Sequence, residues 1–427
     1  VVRLVGSEMC IRDRAGALTN DPDAQYQDFV PKEQKMNMKT VFGLSIAFLI
    51  MGLVGCNDRD AASTEKTENA EKTQSGSDTA SLDTGVGKNG MALASSPAFE
   101  ASGGEMATME NVVRAETAKY LAAETLQSGP NTFRHERQGI DLENQTVIRS
   151  NFDAIYSYGV FDISDGLTIT IPEYDLLHLV QVLDENSVTI GVAYPGDTLT
   201  LDKSDVSYGD HVYLFMRTQP RSYDEKGMEE MRQRQDAVTV KAGSAKPYVS
   251  EVKYDVESFN KLRGELITRA VTEGVIEEGF IDDIEDIKTP QYQMINLAGW
   301  AGLPAKHAYY FVVLPGDEGA KKGEPSSVTF MPPNLRYEDS GYWSITIYDE
   351  KGWVVTEPFN TNSNKAEKNA DGSITLNFNG AEDVKNNIQV KENWNALFRC
   401  YLPVSVEEMV EYRKHFTSQN KVLAVDS

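Results

Sequence analysis

The amino-acid sequence predicts a mainly β protein, with two β regions and a helical segment between them. Three observations carry that expectation. Short runs rich in β-branched and aromatic residues recur from Ile155 to Met216 and again from Tyr309 to Leu402, a composition that fits a pleated, half-buried surface. Turn dipeptides such as Pro195-Gly196, Asp371-Gly372 and Asn379-Gly380 punctuate those runs. Between the regions, Val256, Phe259, Leu262, Leu266, Ala270 and Val271 follow Asp255 at helical spacing, an apolar stripe behind a residue suited to cap a helix.

Composition narrows the function classes. The 427 residues exceed one ordinary domain, and 40% hydrophobic residues can build real cores. Residues 1–56 carry six basic and six acidic side chains, so the whole net charge of −24 lies beyond them. Such an acidic chain repels phosphate backbones and anionic headgroups, which makes nucleic acid the least fitting partner. The three cysteines, Cys10, Cys56 and Cys400, are too few and too scattered for a disulfide framework or a thiolate metal cluster.

The opening residues 1–37, beginning Val1-Val-Arg-Leu-Val-Gly-Ser-Glu-Met-Cys10, resemble a translated sequencing-adapter peptide and are set aside from the fold. Residues 38–56 read as a signal peptide. Lys39 precedes an apolar run of 14 residues from Val41 to Val54, too short to span a bilayer comfortably. Leu53-Val54-Gly55-Cys56 resembles a bacterial lipobox. That resemblance implies cleavage, lipidation of Cys56, and export to the cell envelope on the periplasmic side, with Asn57 favouring the outer membrane. Residues 57–104 are rich in Ser, Thr, Glu, Lys, Gly and Ala and read as a flexible tether. Gly85-Val-Gly-Lys-Asn-Gly90 matches a dinucleotide fingerprint in letters only, because neither a strand nor a helix is expected around it.

The first β region is expected over 105–245. A helix from Met109 to Leu126 ends at Ser128-Gly129-Pro130. Strands follow at Ile155–Phe161 and Leu167–Ile171, joined at Ser164-Asp165-Gly166, then at Leu177–Leu183, Ser187–Tyr194 and Val212–Met216. The helical segment, 246–300, follows a charged helix at Glu225–Gln235 and closes with a turn or two over Tyr292–Ala298. The second β region, 301–427, has strands at Tyr309–Leu314, Ser326–Phe330, Trp343–Tyr348, Trp353–Glu357, Ile374–Phe378 and Leu397–Leu402. Ser405-Val-Glu-Glu408 is a capping box that opens a last helix to about Phe416.

These residues resemble bacterial proteins that pair the domain-of-unknown-function families 1254 and 1214. The first pattern is carried by Asn131-Thr-Phe133, Val147-Ile-Arg-Ser-Asn151-Phe-Asp153-Ala-Ile-Tyr156, Phe161-Asp162, Ile171-Pro172 and Gln181-Val-Leu-Asp184. The second is carried by Gly341-Tyr-Trp343-Ser-Ile-Thr-Ile-Tyr348-Asp349, Asn369-Ala-Asp-Gly372, Asn393-Trp394 and Arg399-Cys-Tyr-Leu-Pro403. The resemblance implies an immunoglobulin-like β-sandwich, a helical segment and a jelly-roll-like C-terminal sandwich. It supplies no reaction.

The block from Val147 onward concentrates the candidate site. Alternation in an extended segment would set Arg149, Asn151 and Asp153 on one face, with Tyr156 on the other. Such groups could hold a sugar, a carboxylate or a water network, and His135 with Asp153 could form an acid–base pair. Structural roles compete: Arg149 with Asp153 would be a strut, and Asp162 and Asp184 would close strands by accepting backbone N–H groups. Trp343, Trp353 and Trp394 could form a carbohydrate platform or fill a core. No nucleophile elbow, zinc motif or close histidine spacing is found, and no metal or cofactor is expected. Two functions remain in view: an envelope-anchored binding or scaffolding module, and alternatively a periplasmic hydrolase acting on a small or glycan-like substrate.

Overall fold

The computed structural model describes residues 93–139, 142 and 149–425. Residues 1–92, with the expected signal peptide, Cys56 and most of the tether, lie outside the described residues, as do Val147 and Ile148. Among the described residues the chain is mostly β, with several sheets and six α-helices.

The first β region is a five-stranded sheet facing a three-stranded one. Its elements in chain order are β1 (Phe99–Glu100), α1 (Val112–Ser128), β2 (Arg134–His135), β3 (Ile155–Asp162), β4 (Leu167–Thr170), β5 (His178–Leu183), β6 (Thr189–Ala193), β7 (Thr198–Leu201), β8 (His211–Thr218), α2 (Glu225–Ala237) and β9 (Thr239–Ala242). The large sheet runs β2-β3-β8-β5-β6 and the small one β7-β4-β9. Phe161, Val180, Val182, Val212, Leu214 and Met216 of the large sheet share a buried cluster with Leu167, Ile169 and Leu201 of the small one. Each such side chain removed from water is worth about 1.5–3 kcal/mol.

The expected joint at Ser164-Asp165-Gly166 does not make a hairpin. β3 pairs with β2 and β8, whereas β4 pairs with β7 and β9, so the chain crosses there from one sheet to the other. The Asp162 carboxylate pins this corner by accepting the N–H and hydroxyl of Ser164 and the N–H of Lys246. The carboxylate satisfies the backbone groups that the ending strand leaves open. Asp184 closes β5 in the same manner, taking N–H groups from Asn186, Val188 and Ser207 and the Ser207 hydroxyl.

The helical segment is a layer rather than a spacer. β10 (Tyr254–Asp255), α3 (Val256–Glu273) and α4 (Pro290–Ala298) follow β9. Asp255 caps α3 by accepting from Ser258 N–H. Val112, Leu121, Phe259, Leu266 and Leu297 from α1, α3 and α4 bury together with Val160, Leu183 and Tyr213 of the large sheet. The expected tether ends earlier than residue 104. β1 pairs in parallel with β10, and Ala98 and Phe99 lie fully inside, the Phe99 ring meeting Phe259 at 5.0 Å. One large apolar residue among polar neighbours was enough to fasten this stretch to the core.

The second region contains β11 (Ala308–Val313), α5 (Glu318–Lys321), β12 (Ser326–Phe330), β13 (Trp343–Tyr348), β14 (Asn360–Asn362), β15 (Ile374–Phe378), β16 (Asn387–Ile388), β17 (Asn395–Tyr401), α6 (Val406–Gln419) and β18 (Leu423–Ala424). Two four-stranded sheets, β11-β17-β13-β14 and β16-β15-β12-β18, share a core of Phe311, Phe330, Trp343, Ile345, Leu376, Phe378 and Phe398. Ser405 caps α6 by accepting from Glu408 N–H. The expected strand at Trp353–Glu357 is absent. Asp349 Oδ1 instead accepts from Lys351 and Trp353 N–H groups, curling the chain, and β14 takes the sheet edge beside β13.

Candidate functional site

Strand alternation sends one face of β13 and β17 into the core just described and leaves the other face polar. Trp343, Ile345 and Ile347 point inward, as do Ala396, Phe398 and Cys400. Register then places Tyr310, Arg399, Ser344 and Asn362 opposite one another across all four strands of the sheet, so they share the second face. That face is covered, not solvated. Arg399 is 4% exposed and Ser344 fully buried, because residues 149–154 and the end of the first region's large sheet lie against it.

The segment before β3 is therefore the lid of a polar seam, and its geometry departs from expectation. Arg149 has φ 54°, and residues 149–154 turn before β3 begins, so Arg149, Asn151 and Asp153 do not alternate along a strand. They reach different partners in the second region. Arg149 donates to Asn395 Oδ1 at 2.6 Å, Asn151 Nδ2 to the Tyr401 hydroxyl at 2.7 Å, and Asn362 Nδ2 to Asp153 Oδ1 at 2.6 Å, with Asn360 adding a 3.2 Å contact. Arg149 and Asp153 form no strut among the described residues. Arg399 closes the seam from the other side. It donates to the Arg149 carbonyl at 2.8 Å and the Tyr348 hydroxyl at 2.9 Å, and Tyr348 donates to the Ser150 carbonyl. Apolar contacts flank this network, with Phe152 against Tyr348 and Leu177 and Leu179 against Tyr342, Tyr401 and Leu303.

The seam contains polar atoms that its own hydrogen bonds leave over. Asp153 Oδ2, Ser344 Oγ and the Tyr342 hydroxyl are buried without a partner among the described residues. Burial pushes the Asp153 carboxyl upward, and Asn362, Lys365, Ser344 and Arg399 temper the shift. The Ser344 hydroxyl lies beside the carboxyl but outside hydrogen-bonding geometry. Burial lowers Arg149 to about 10.

The large sheet of the first region supplies a matching pair. Tyr156 stands directly opposite Arg217 across β3 and β8, with the guanidinium 5.9 Å from the Tyr156 ring centre and 4.1 Å from that of Phe215. Arg217 donates to Gln181 Oε1 and to the Ala301 carbonyl, both at 2.8 Å. Arg217 and Arg399 both oppose the burial that raises Tyr156, Tyr310 and Tyr401, so both charges lie within electrostatic reach of these three rings.

The remaining candidates sit elsewhere. His135 is on edge strand β2, with Nδ1 2.8 Å from the Ser157 hydroxyl. Burial lowers its pKa first and Arg137 second, and Asp153 is not among its partners. Trp343 is 1% exposed, its ring against Phe330 and Phe398, so it offers no face to a ligand. Trp394 is equally enclosed. Among the described residues no group of three or more His, Cys, Asp or Glu is placed to hold a metal. An open groove of about 790 Å³ between β12 and α6, lined by Phe330, Met331, Glu408 and Tyr412, shares no residue with the seam.

Sequence reading found Arg149, Asn151, Asp153 and Tyr156 and missed Arg217, Tyr310, Ser344, Asn362 and Asn395. The available signal was alternation itself. Polar Ser344, Thr346, Arg399 and Tyr401 interleave with the core residues of β13 and β17, a pattern that ordinarily marks a wet face.

Comparison with known proteins follows this division. The family model described as protein of unknown function DUF1254 matches residues 130–208, and that described as protein of unknown function DUF1214 matches residues 318–405. The chain thus pairs the two, and Asp153 and Asn362 join one matched stretch to the other. No curated protein matches. A crystal structure of a Vibrio parahaemolyticus protein is similar in fold, with TM-score 0.55 and 12% identity over 74% of this chain and 98% of that one. A crystal structure of an uncharacterised Burkholderia cenocepacia protein gives 0.40 and 11% over 70% and 84%.

Proposed function

We propose that this chain is an envelope-anchored ligand-binding module without catalysis of its own, and that its site is the polar seam between the two β regions. One observation carries the reading: Asp153 Oδ2, Ser344 Oγ and the Tyr342 hydroxyl are buried in the seam without a hydrogen-bond partner among the described residues. Leaving such groups unsatisfied costs about 1–3 kcal/mol each, and apolar packing would have joined the regions more cheaply. A bound molecule that fills their hydrogen bonds removes that cost.

Anchoring rests on Leu53-Val54-Gly55-Cys56, with lipidated Cys56 as the membrane attachment and the periplasmic side of the outer membrane as the destination. The sheets facing one another in pairs fit an immunoglobulin-like first sandwich and a jelly-roll-like second one. A scaffolding role would use the same rigid seam. A hydrolase built on His135 and Asp153 gains no support, because the partners of those two side chains do not overlap.

Native mass spectrometry of the full chain, purified without chelator, tests the reading. A small molecule retained by the wild type and lost from Ser344→Ala supports it. A molecule retained equally by both places the site elsewhere. Membrane fractionation of Cys56→Ser tests the anchor, with release into the soluble fraction as the expected result.

A further inference from the structure

We propose that the seam takes a small organic carboxylate, held between the Tyr156–Arg217 pair of the first region and the Tyr310–Arg399 pair of the second. The inference rests on the seam being a ligand site and adds its chemical class.

The first argument is charge. Arg217 and Arg399 are each 4% exposed. All their partners are neutral: Gln181 and the Ala301 carbonyl for one, and Thr346, Tyr348 and the Arg149 carbonyl for the other. Among the described residues neither has a carboxylate at ion-pair distance. A buried guanidinium without an anion is costly, and it is unusual in a chain with 65 acidic side chains against 41 basic ones. Asp153, the seam's own acid, lies within electrostatic reach of Arg399 but not at ion-pair distance; it is engaged by Asn362, and burial pushes its carboxyl upward.

The second argument is donor geometry. Each arginine stands opposite a tyrosine across a strand pair. The Tyr156 hydroxyl has no hydrogen-bond partner among the described residues. The Tyr310 hydroxyl accepts only a long 3.4 Å bond from Leu303 N–H, which leaves its proton unassigned. Two guanidinium groups and two phenol O–H groups within electrostatic reach of one another offer donors on every side, and a carboxylate, which only accepts, suits them. Tyr156 and Tyr310 are only partly buried, unlike the two arginines beside them.

The third argument concerns the ligand's body. The walls are aromatic: Phe215 meets Tyr156 at 4.8 Å, and Tyr342 stacks on Tyr401 at 4.7 Å. Such walls suit an apolar body behind a single negative group, and they disfavour a strongly hydrated phosphate dianion.

Benzoate, benzamide and inorganic phosphate, titrated by calorimetry into the full chain, test the class. Benzoate is expected to bind saturably. Tyr156→Phe removes a hydroxyl with no partner among the described residues, so the fold survives, and benzoate should weaken about fivefold. Arg217→Lys should weaken it about tenfold or more. Equal benzoate affinity in the wild type and both variants overturns the proposal. So does phosphate binding as tight as benzoate. Benzamide binding as tight as benzoate overturns the carboxylate class while leaving the seam as a ligand site. Failure of all three probes also overturns the class, whereas a clean mass for the purified full chain counts against the seam itself.

Discussion

Asn362 holds Asp153 at 2.6 Å across 209 residues of sequence, and this bond joins the two family-matched stretches through a buried polar contact. Its neighbours make the same join. Asn151 reaches Tyr401, and Arg399 reaches the Arg149 carbonyl. The regions are therefore held by geometry that few substitutions can reproduce, and stability should respond to seam variants in both halves.

Asn151→Ala removes the donor to the Tyr401 hydroxyl and the acceptor for Asp153 N–H. Loss of about 1–3 kcal/mol is expected, measured by urea unfolding. A double variant with Tyr401→Phe should cost less than the sum of the two single changes, because both remove one shared bond.

Phe99 tests where the packed chain begins. It is 3% exposed between Tyr254 and Phe259, so Phe99→Ala should destabilise by about 3–5 kcal/mol. A true tether would tolerate the change with no measurable shift in the denaturation midpoint.

Glu185 gives a pH signature. Burial raises its carboxyl from 4.5 to about 7, with Glu251 and Asp184 adding to the shift and the N–H groups of His211 and Asp210 opposing it. The folded protein then holds a proton that the unfolded chain has released, so this group's contribution is greatest below pH 4.5 and declines as pH rises towards 7. Glu185→Gln should be more stable than the wild type at pH 7, and the difference should vanish near pH 4. His178 and His307, both lowered to about 4 by burial, act in the opposite sense as pH falls from 6.5. The comparison of thermal melts is therefore made variant against wild type at each pH.

Cys400 is fully buried in the second core, and burial pushes its thiol well above the ordinary range. Cys400→Ser should leave the number of rapidly reacting thiols unchanged in a disulfide-exchange assay. Denaturant should raise the wild-type count by a single thiol.

Most of the fold was legible because periodicity and capping are local. Asp255 and Ser405 cap the helices that their spacing announces, and Ser326–Phe330, Trp343–Tyr348 and Ile374–Phe378 are strands as read. What escaped was pairing. No local signal says that β3 and β4 belong to different sheets, or that Trp353 curls back onto Asp349. For the site, Asn151 and Asp153 could be singled out by type and crowding, but their partners lie far along the chain. Arg217 and Arg399 carry no distinguishing signal, because a polar alternate position in a strand usually faces water. Here each is roofed by another part of the chain.

The long span of the Asp153 bond also bears on synthesis. When Asp153 leaves the ribosome, the amide that will hold it is still to be made, and Tyr156 and Arg217 have no opposing sheet until Tyr310 and Arg399 arrive. During that interval the acid and the arginine face water and carry their ordinary charges. The seam closes only once Tyr310, Asn362 and Arg399 have been made, so any ligand it holds is acquired after them.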